Sequence, residues 1–130
     1  MADTLVTTHS IWRWLVLVGL VAALVYGFSR SSDAAPLEKS TAQPFMFSLI
    51  MLDIQVLIGL FLWIAASGWD LDVFRAWIHP VGMLIALGVG HAVVGRAIKF
   101  GASSAYRTAA VGILVTLVIV AASIPRDAWF

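Results

Sequence analysis

Four apolar stretches, each about 20 residues long, constrain this 130-residue chain more than any other feature. They cover residues 9–28, 45–67, 80–99 and 106–124. A helix that crosses a bilayer needs about 20 consecutive apolar residues, so each stretch is long enough to span a membrane. Hydrophobic residues make up 62% of the chain, which is more than a soluble domain of this size can bury. The sequence therefore predicts an integral membrane protein in contact with a lipid bilayer.

The connections between the stretches are short, which predicts a single domain over residues 1–130. The expected fold is all-α: an up-down-up-down four-helix transmembrane bundle. The leader "MADTLVTT" carries an acid and no basic residue, so we do not interpret the first stretch as a signal peptide. The chain has no cysteine, which excludes thiolate metal sites, iron–sulfur clusters and the covalent attachment of c-type haem.

Basic residues are distributed unevenly between the two ends of the predicted bundle. An even number of spans places both termini at the same end. The basic residues at that end are Arg13, Arg75 and Arg126. Those at the opposite end are Arg30, Lys39, Arg96, Lys99 and Arg107. Because Lys and Arg are enriched on the cytoplasmic side of membrane proteins, we predict that both termini lie outside.

Two of the three histidines are expected at the same depth in the bundle. His9 begins the first span and His79 precedes the third, and these two spans run in the same direction. Pro80 disfavours the α conformation at residue 79, so we expect His79 at the helix mouth. Neutral imidazoles from two helices could ligate the iron of one b-type haem from opposite faces. His9 and His79 are therefore the candidate metal ligands.

The helix faces that carry these histidines also carry small or flexible residues. Gly19 follows His9 on the first span, and Met83 and Ala86 follow His79 on the third. Small residues at this spacing allow membrane helices to pack closely. They also leave room for a flat macrocycle between the helices. Helical spacing is compatible with both interpretations, so these three residues are candidate cofactor contacts.

Arg13, Arg75 and Arg126 gather at the end where the two histidines are expected. Arginines pair well with carboxylates, and haem carries two propionates. An arginine as deep as Arg13 needs an anionic partner or a path to the surface. We expect the three arginines to bind the propionates. The alternative for Arg13 is an ion pair with Asp70 or Asp72.

The third histidine, His91, lies twelve residues beyond His79, which is about 18 Å along the helix and about 120° around it. A single haem with two histidine ligands is therefore a simpler interpretation than two haems, although His91 could be the only protein ligand of a second haem. Asp53 and Gln55 are expected at the depth of His91, and the acid needs a partner, either His91 or Arg96. A structural hydrogen bond is the favoured interpretation. A site that exchanges protons with a quinone is the alternative.

The chain resembles a group of short bacterial four-helix membrane proteins loosely described as b-type cytochromes. The shared motifs are an "HS-x-x-RW" start and an "HP-x-x-M" opening of the third span. In this chain the motif residues are His9, Ser10, Arg13 and Trp14, then His79, Pro80 and Met83. The resemblance covers almost the whole chain and ends with Ile124 and Pro125. It implies haem b, electron transfer and a place in the bacterial inner membrane.

The sequence thus predicts an electron-transfer protein or subunit rather than a self-contained enzyme, with one haem b and a quinone as a candidate partner. The alternative is a haem-free accessory subunit of a larger respiratory or photosynthetic membrane complex. A small transporter with Asp53 and His91 as a proton relay ranks last. No nucleophile–base motif or phosphate loop is present. A net charge of +1 in so apolar a chain excludes nucleic-acid binding.

Overall fold

The structure is a computed structural model and describes residues 1–101 and 103–129. Four long helices account for most of the described chain, and these residues form no strand. The helices are α1 (Ala2–Ser29), α2 (Gln43–Ala65), α3 (His79–Phe100) and α4 (Ala105–Ser123). Each is long and apolar enough to cross a membrane, α3 together with the turn before it. The prediction of four membrane-spanning helices agrees with this architecture, whereas their alternating orientation remains a prediction.

Helix α1 begins at Ala2, well before the predicted start at residue 9. The additional turns are polar, and the Thr8 hydroxyl donates to the Thr4 carbonyl at 2.8 Å. Asp3 lies in the first turn, where a negative charge is favourable next to the helix N-terminus. Hydropathy marks only the part of a helix that suits a membrane, so it misses a polar extension of this kind.

Each helix packs against two neighbours around the bundle. Helix α1 contacts α2 and α4, and α3 contacts the same two helices, so α1 and α3 lie diagonally across the centre. The largest fully buried side chains are apolar or aromatic: Tyr106, Phe45, Leu20, Leu37, Leu49, Leu52 and Ile113. Most outward side chains are apolar as well, for example Val18, Phe47, Leu57, Phe61 and Val118. Apolar residues on every side are typical of a helix bundle surrounded by lipid.

A π-helical turn over Phe74–Ile78 runs directly into α3. The prediction that Pro80 would keep His79 out of the α conformation was wrong, because His79 is helical with φ −61° and ψ −56°. Pro80 has no N–H to donate to the carbonyl of Ala76, one helical turn earlier. The Trp63 indole N–H donates to that carbonyl instead, at 3.0 Å. The wider turn and this substitute donor let the helix continue through the proline.

Close contact between α3 and α4 depends on a glycine. A Cβ atom added at Gly112 would lie 2.5 Å from Cγ1 and 2.7 Å from Cβ of Val93, which no real side chain tolerates. Gly95 on α3 is different, since a Cβ there would meet nothing within 4 Å. The two glycines therefore differ in packing while both lie inside helices.

We expect Gly112→Ala to lower the free energy of unfolding by about 1–3 kcal/mol, because the added methyl group overpacks the contact with Val93. Gly95→Ala is the matched control and should leave stability unchanged or raise it slightly, since alanine favours a helix. Thermal unfolding in detergent micelles, followed by circular dichroism, measures both. Equal stability of the two variants would contradict the close packing described.

Candidate functional site

The imidazoles of His9 and His79 lie next to each other between α1 and α3, near one end of the bundle. Their ring centroids are 6.1 Å apart and their planes are nearly perpendicular, at 89°. His9 comes from α1 and His79 from α3, the two diagonal helices. Their similar positions at the starts of parallel-running spans predicted this meeting. No other helix separates the two rings.

A cavity of about 300 Å³ surrounds the two rings. This volume is at the lower end of the range for small-molecule sites, about 300–1,000 Å³. Its lining is mostly apolar and comes from all four helices. The side chains that matter most for its chemistry are His9, Arg13, Gln55, His79 and Met83. The cavity therefore combines an apolar wall with a few polar groups that converge on its centre.

The orientation of the His79 ring is set by α4. Its Nδ1 lies 2.7 Å from the carbonyl oxygen of Ser123. A carbonyl can only accept, so Nδ1 carries the proton and the other ring nitrogen, Nε2, keeps a free lone pair. Gly82 brings the two helices together here, because a Cβ at that position would clash with the Ser123 hydroxyl oxygen. This arrangement is the usual one for a histidine that binds a metal.

The His9 ring is held by α2. The Gln55 amide N–H donates to the His9 carbonyl at 3.0 Å, and the same nitrogen lies 3.3 Å from His9 Nε2. The ring packs against Gly59, where a Cβ would lie 3.0 Å from His9 Cε1. His9 Nδ1 is buried and has no partner among the described residues. The protein thus leaves one nitrogen of this ring unsatisfied.

Three buried polar atoms lack hydrogen-bond partners in the part of the chain that the structure describes: His9 Nδ1, Arg13 Nε and Gln55 Oε1. All three belong to residues that line the cavity. Buried polar atoms in proteins are nearly always hydrogen-bonded, and an exception calls for an explanation such as a bound ligand. Their concentration around one cavity indicates that the site is built for a group with polar or metal-binding atoms.

The donor set restricts what this group can be. No three His, Cys, Asp or Glu side chains of the described residues come together as metal ligands. Structural and catalytic zinc sites need at least three protein ligands. Two imidazoles suit a metal that brings its remaining ligands with it, as the iron of a macrocycle does. The residues of this site therefore fit a haem better than a free metal ion.

Arg13 lines the cavity, and its guanidinium carbon lies 5.3 Å from the centroid of the Trp14 ring. The alternative that it forms an ion pair with Asp70 or Asp72 was wrong. Asp72 pairs with Arg75 at 2.9 Å, and no described carboxylate lies within ion-pair distance of Arg13. A cation held in an apolar cavity without a counter-ion is unfavourable, so this position favours an anionic ligand.

The other two arginines have different surroundings. Arg75 lines the cavity, but its charge is already balanced by Asp72 and Asp127. The hydrogen bond from the Arg75 side chain holds the pKa of the Asp72 carboxyl below its usual range, so this pair is ionised at neutral pH. Arg126 is exposed and does not line the cavity. Arg13 is therefore the cavity arginine that the described chain leaves without a counter-charge.

Of the small or flexible residues expected beside a cofactor, Met83 lines the cavity. Gly19 and Ala86 do not, because each lies further along its helix. A Cβ at Gly19 would be 3.4 Å from the sulfur of Met51, so Gly19 serves the approach of α1 to α2. Ala86 is completely buried in the apolar core. For these two residues the structure favours close helix packing over cofactor contact.

The third histidine forms the predicted pair with the acid of α2. His91 Nε2 lies 2.9 Å from Asp53 Oδ1, so His91 rather than Arg96 is the partner. Gln55 was expected in the same cluster, and this expectation was wrong. Residues two apart on a helix point about 200° apart, which turns Gln55 inward to His9 while Asp53 faces α3.

The comparisons with known proteins give no family for this chain: no family model, no curated protein and no solved structure matches it.

We expect nitrogen NMR of protein labelled at the histidine ring nitrogens to show His79 with its proton on Nδ1, because the Ser123 carbonyl can only accept. The resonance is assigned by its loss in His79→Gln. A His79 ring protonated on Nε2 alone would contradict the hydrogen bond to α4.

Proposed function

We propose that the protein is a membrane-embedded b-type cytochrome that binds one haem between His9 and His79 and transfers electrons. The observation that carries this proposal is the pair of imidazoles, 6.1 Å apart on diagonal helices, in a cavity with three unsatisfied polar atoms. Two imidazoles this close could both reach one metal atom, since metal–nitrogen bonds are about 2 Å long.

His79 would be the better oriented of the two ligands. Its Nδ1–H donates to the Ser123 carbonyl, which fixes the ring and makes Nε2 a stronger donor toward a metal. His9 would contribute one of its ring nitrogens, and Gln55 is positioned to hold the His9 backbone while its ring does so. Haem, when bound, supplies a reversible one-electron couple.

Arg13 would neutralise an acidic group of the haem. It lines the cavity one turn from His9, and the described chain provides it with no carboxylate. The apolar wall around the rings would keep water away from the iron, which strengthens every electrostatic contact inside the site. Arg75, already paired with two aspartates, would help to close the cavity rather than bind the haem.

For the redox partner we retain the quinone predicted from the sequence. A carrier dissolved in the bilayer can reach a protein whose four long helices are all candidates for membrane spans. We also retain the bacterial inner membrane, on the resemblance to short bacterial four-helix proteins, and the outside position of both termini, on the distribution of basic residues. Reduction of the purified protein by a soluble quinol, followed at the haem bands, tests the partner.

We expect the purified protein to show the pyridine haemochrome spectrum of haem b, with one haem per chain. His9→Ala and His79→Ala should each abolish haem binding or change the spectrum from six- to five-coordinate iron, because each removes one of the two histidines that would hold the haem. His91→Ala is the matched control and should retain the spectrum, since His91 pairs with Asp53 instead.

Absence of haem from folded protein, after expression with ample haem supply, would overturn the proposal. A spectrum that changes with His91→Ala but not with His9→Ala would show that His91, and not His9, binds the haem. This result would also contradict the proposal.

We expect Arg13→Gln to weaken haem binding by about 10- to 100-fold, the usual effect of losing a hydrogen bond to a charged group. Arg126→Gln removes the same charge from an exposed residue outside the cavity and should have little effect. The rate of haem loss to an excess of a soluble haem-binding protein measures both. Equal rates for the two variants would show that Arg13 does not hold the haem.

A further inference from the structure

The His91–Asp53 pair lies on the outside of the bundle, where α2 and α3 meet. His91 is twelve residues into α3 and Asp53 ten residues into α2, so both are about 15–18 Å from the helix starts. Their side chains are 40% and 35% exposed. In a bilayer this exposed area faces hydrocarbon, where polar groups without partners are costly.

The chemistry of the exposed edge follows from the bond between the two side chains. The pair has no net charge in two arrangements, imidazolium with carboxylate and neutral imidazole with carboxylic acid. In both, the shared proton lies between His91 Nε2 and Asp53 Oδ1, the two atoms 2.9 Å apart. His91 Nδ1 then carries a proton and Asp53 Oδ2 does not. The exposed edge presents one donor and one acceptor, and neither has a partner among the described residues.

The surface of α3 next to this pair is open. A Cβ at Gly88 or Gly95 would meet nothing within 4 Å, and Ala92 between them is exposed. Large exposed side chains such as Leu84 and Ile85 lie one turn before this open patch, and the outer face of α1 carries Val18 and Val25. Small residues on an outer face let another helix approach closely, and hydrogen bonds between helices add to such contacts.

We propose that this surface, formed by Asp53, His91, Gly88, Ala92 and Gly95, binds a second copy of the chain across a two-fold axis parallel to the helices. The axis would bring Asp53 Oδ2 of each copy to His91 Nδ1 of the other, so one symmetric contact satisfies all four exposed atoms. A quinone carbonyl would satisfy the donor and leave the carboxyl oxygen unpaired, and lipid chains would satisfy neither. A quinol hydroxyl can donate and accept but would satisfy one copy only, whereas the self-complementary pattern of donor and acceptor is matched on both sides by a second copy. The proposal does not depend on haem.

Cross-linking through engineered thiols tests this contact, because the natural chain has no cysteine that would interfere. Ala92→Cys places one thiol on the proposed surface. Ala22→Cys is the matched control: it is also an exposed alanine, thirteen residues beyond His9 as Ala92 is beyond His79, on the diagonal helix α1. With a short bifunctional maleimide in lipid vesicles, we expect Ala92→Cys to form covalent dimers at least tenfold faster than Ala22→Cys.

Three further variants distinguish this contact from nonspecific association. Gly88→Leu fills the open surface without a clash inside the chain, and should lower the association constant about tenfold or more. Val18→Leu adds bulk at the equivalent position of α1 and should have no effect. Replacing both Asp53 and His91 with leucine should lower association about tenfold, the effect of losing two interhelical hydrogen bonds.

Single-molecule photobleaching of labelled protein in vesicles measures the association constants. Equal cross-linking of the two thiols, a monomer at all protein densities, or an unchanged association constant for Gly88→Leu would each overturn the proposal. Cross-linking of Ala92→Cys in native membranes to a different protein, with no dimer of this chain, would also overturn it. Haem content is recorded in parallel, and a haem-free dimer would support this contact while contradicting the cytochrome.

Discussion

The site depends on one constraint of the bundle: α1 and α3 lie diagonally, so the space between them has to be filled by side chains rather than by helix contact. In the interior this space is filled by large apolar residues such as Leu20, Leu49 and Leu52. At the end where α1 and α3 begin, two imidazoles reach into it instead. They do not fill it, and a cavity remains. The polar atoms there have no partners because this end of the core is not closed by packing.

Tight apolar packing and the polar groups of the site therefore lie at opposite ends of the bundle. The end that holds Phe45 and Tyr106 is tightly packed, and both rings make edge-to-face contacts with Tyr26. The histidine end is held by directed hydrogen bonds, from His79 to Ser123 and from Gln55 to His9. A cavity and unsatisfied polar groups both lower the free energy of unfolding. A protein retains them where the binding of a ligand restores that free energy. The proposed haem would supply this compensation through metal bonds and apolar contact.

The electrostatics point in the same direction. Three arginines lie near the cavity end, but two aspartates neutralise Arg75, and Arg126 is exposed to the surroundings. Arg13 alone combines a position in the cavity with an orphaned guanidinium nitrogen in the described structure. A positive charge is costly in an apolar environment unless an anion accompanies it. The site therefore has one preferred place for an acidic group, which limits how a haem could be oriented.

The sequence by itself determined the class of fold and the meeting of His9 with His79. Both follow from one-dimensional rules, since about 20 apolar residues make a span and spans of equal direction bring their starts to one depth. The inward direction of Gln55 was also accessible from helical geometry, because residues 53 and 55 must point apart. Only the tertiary structure decided the partners. Ser123 contributes a backbone carbonyl, which every residue possesses, and Arg75 finds Asp127 from the far end of the chain. Trp63 replaces the donor that Pro80 lacks. Such contacts depend on the relative rotation and height of whole helices. The packing of all four helices together determines both, and no local sequence pattern encodes them.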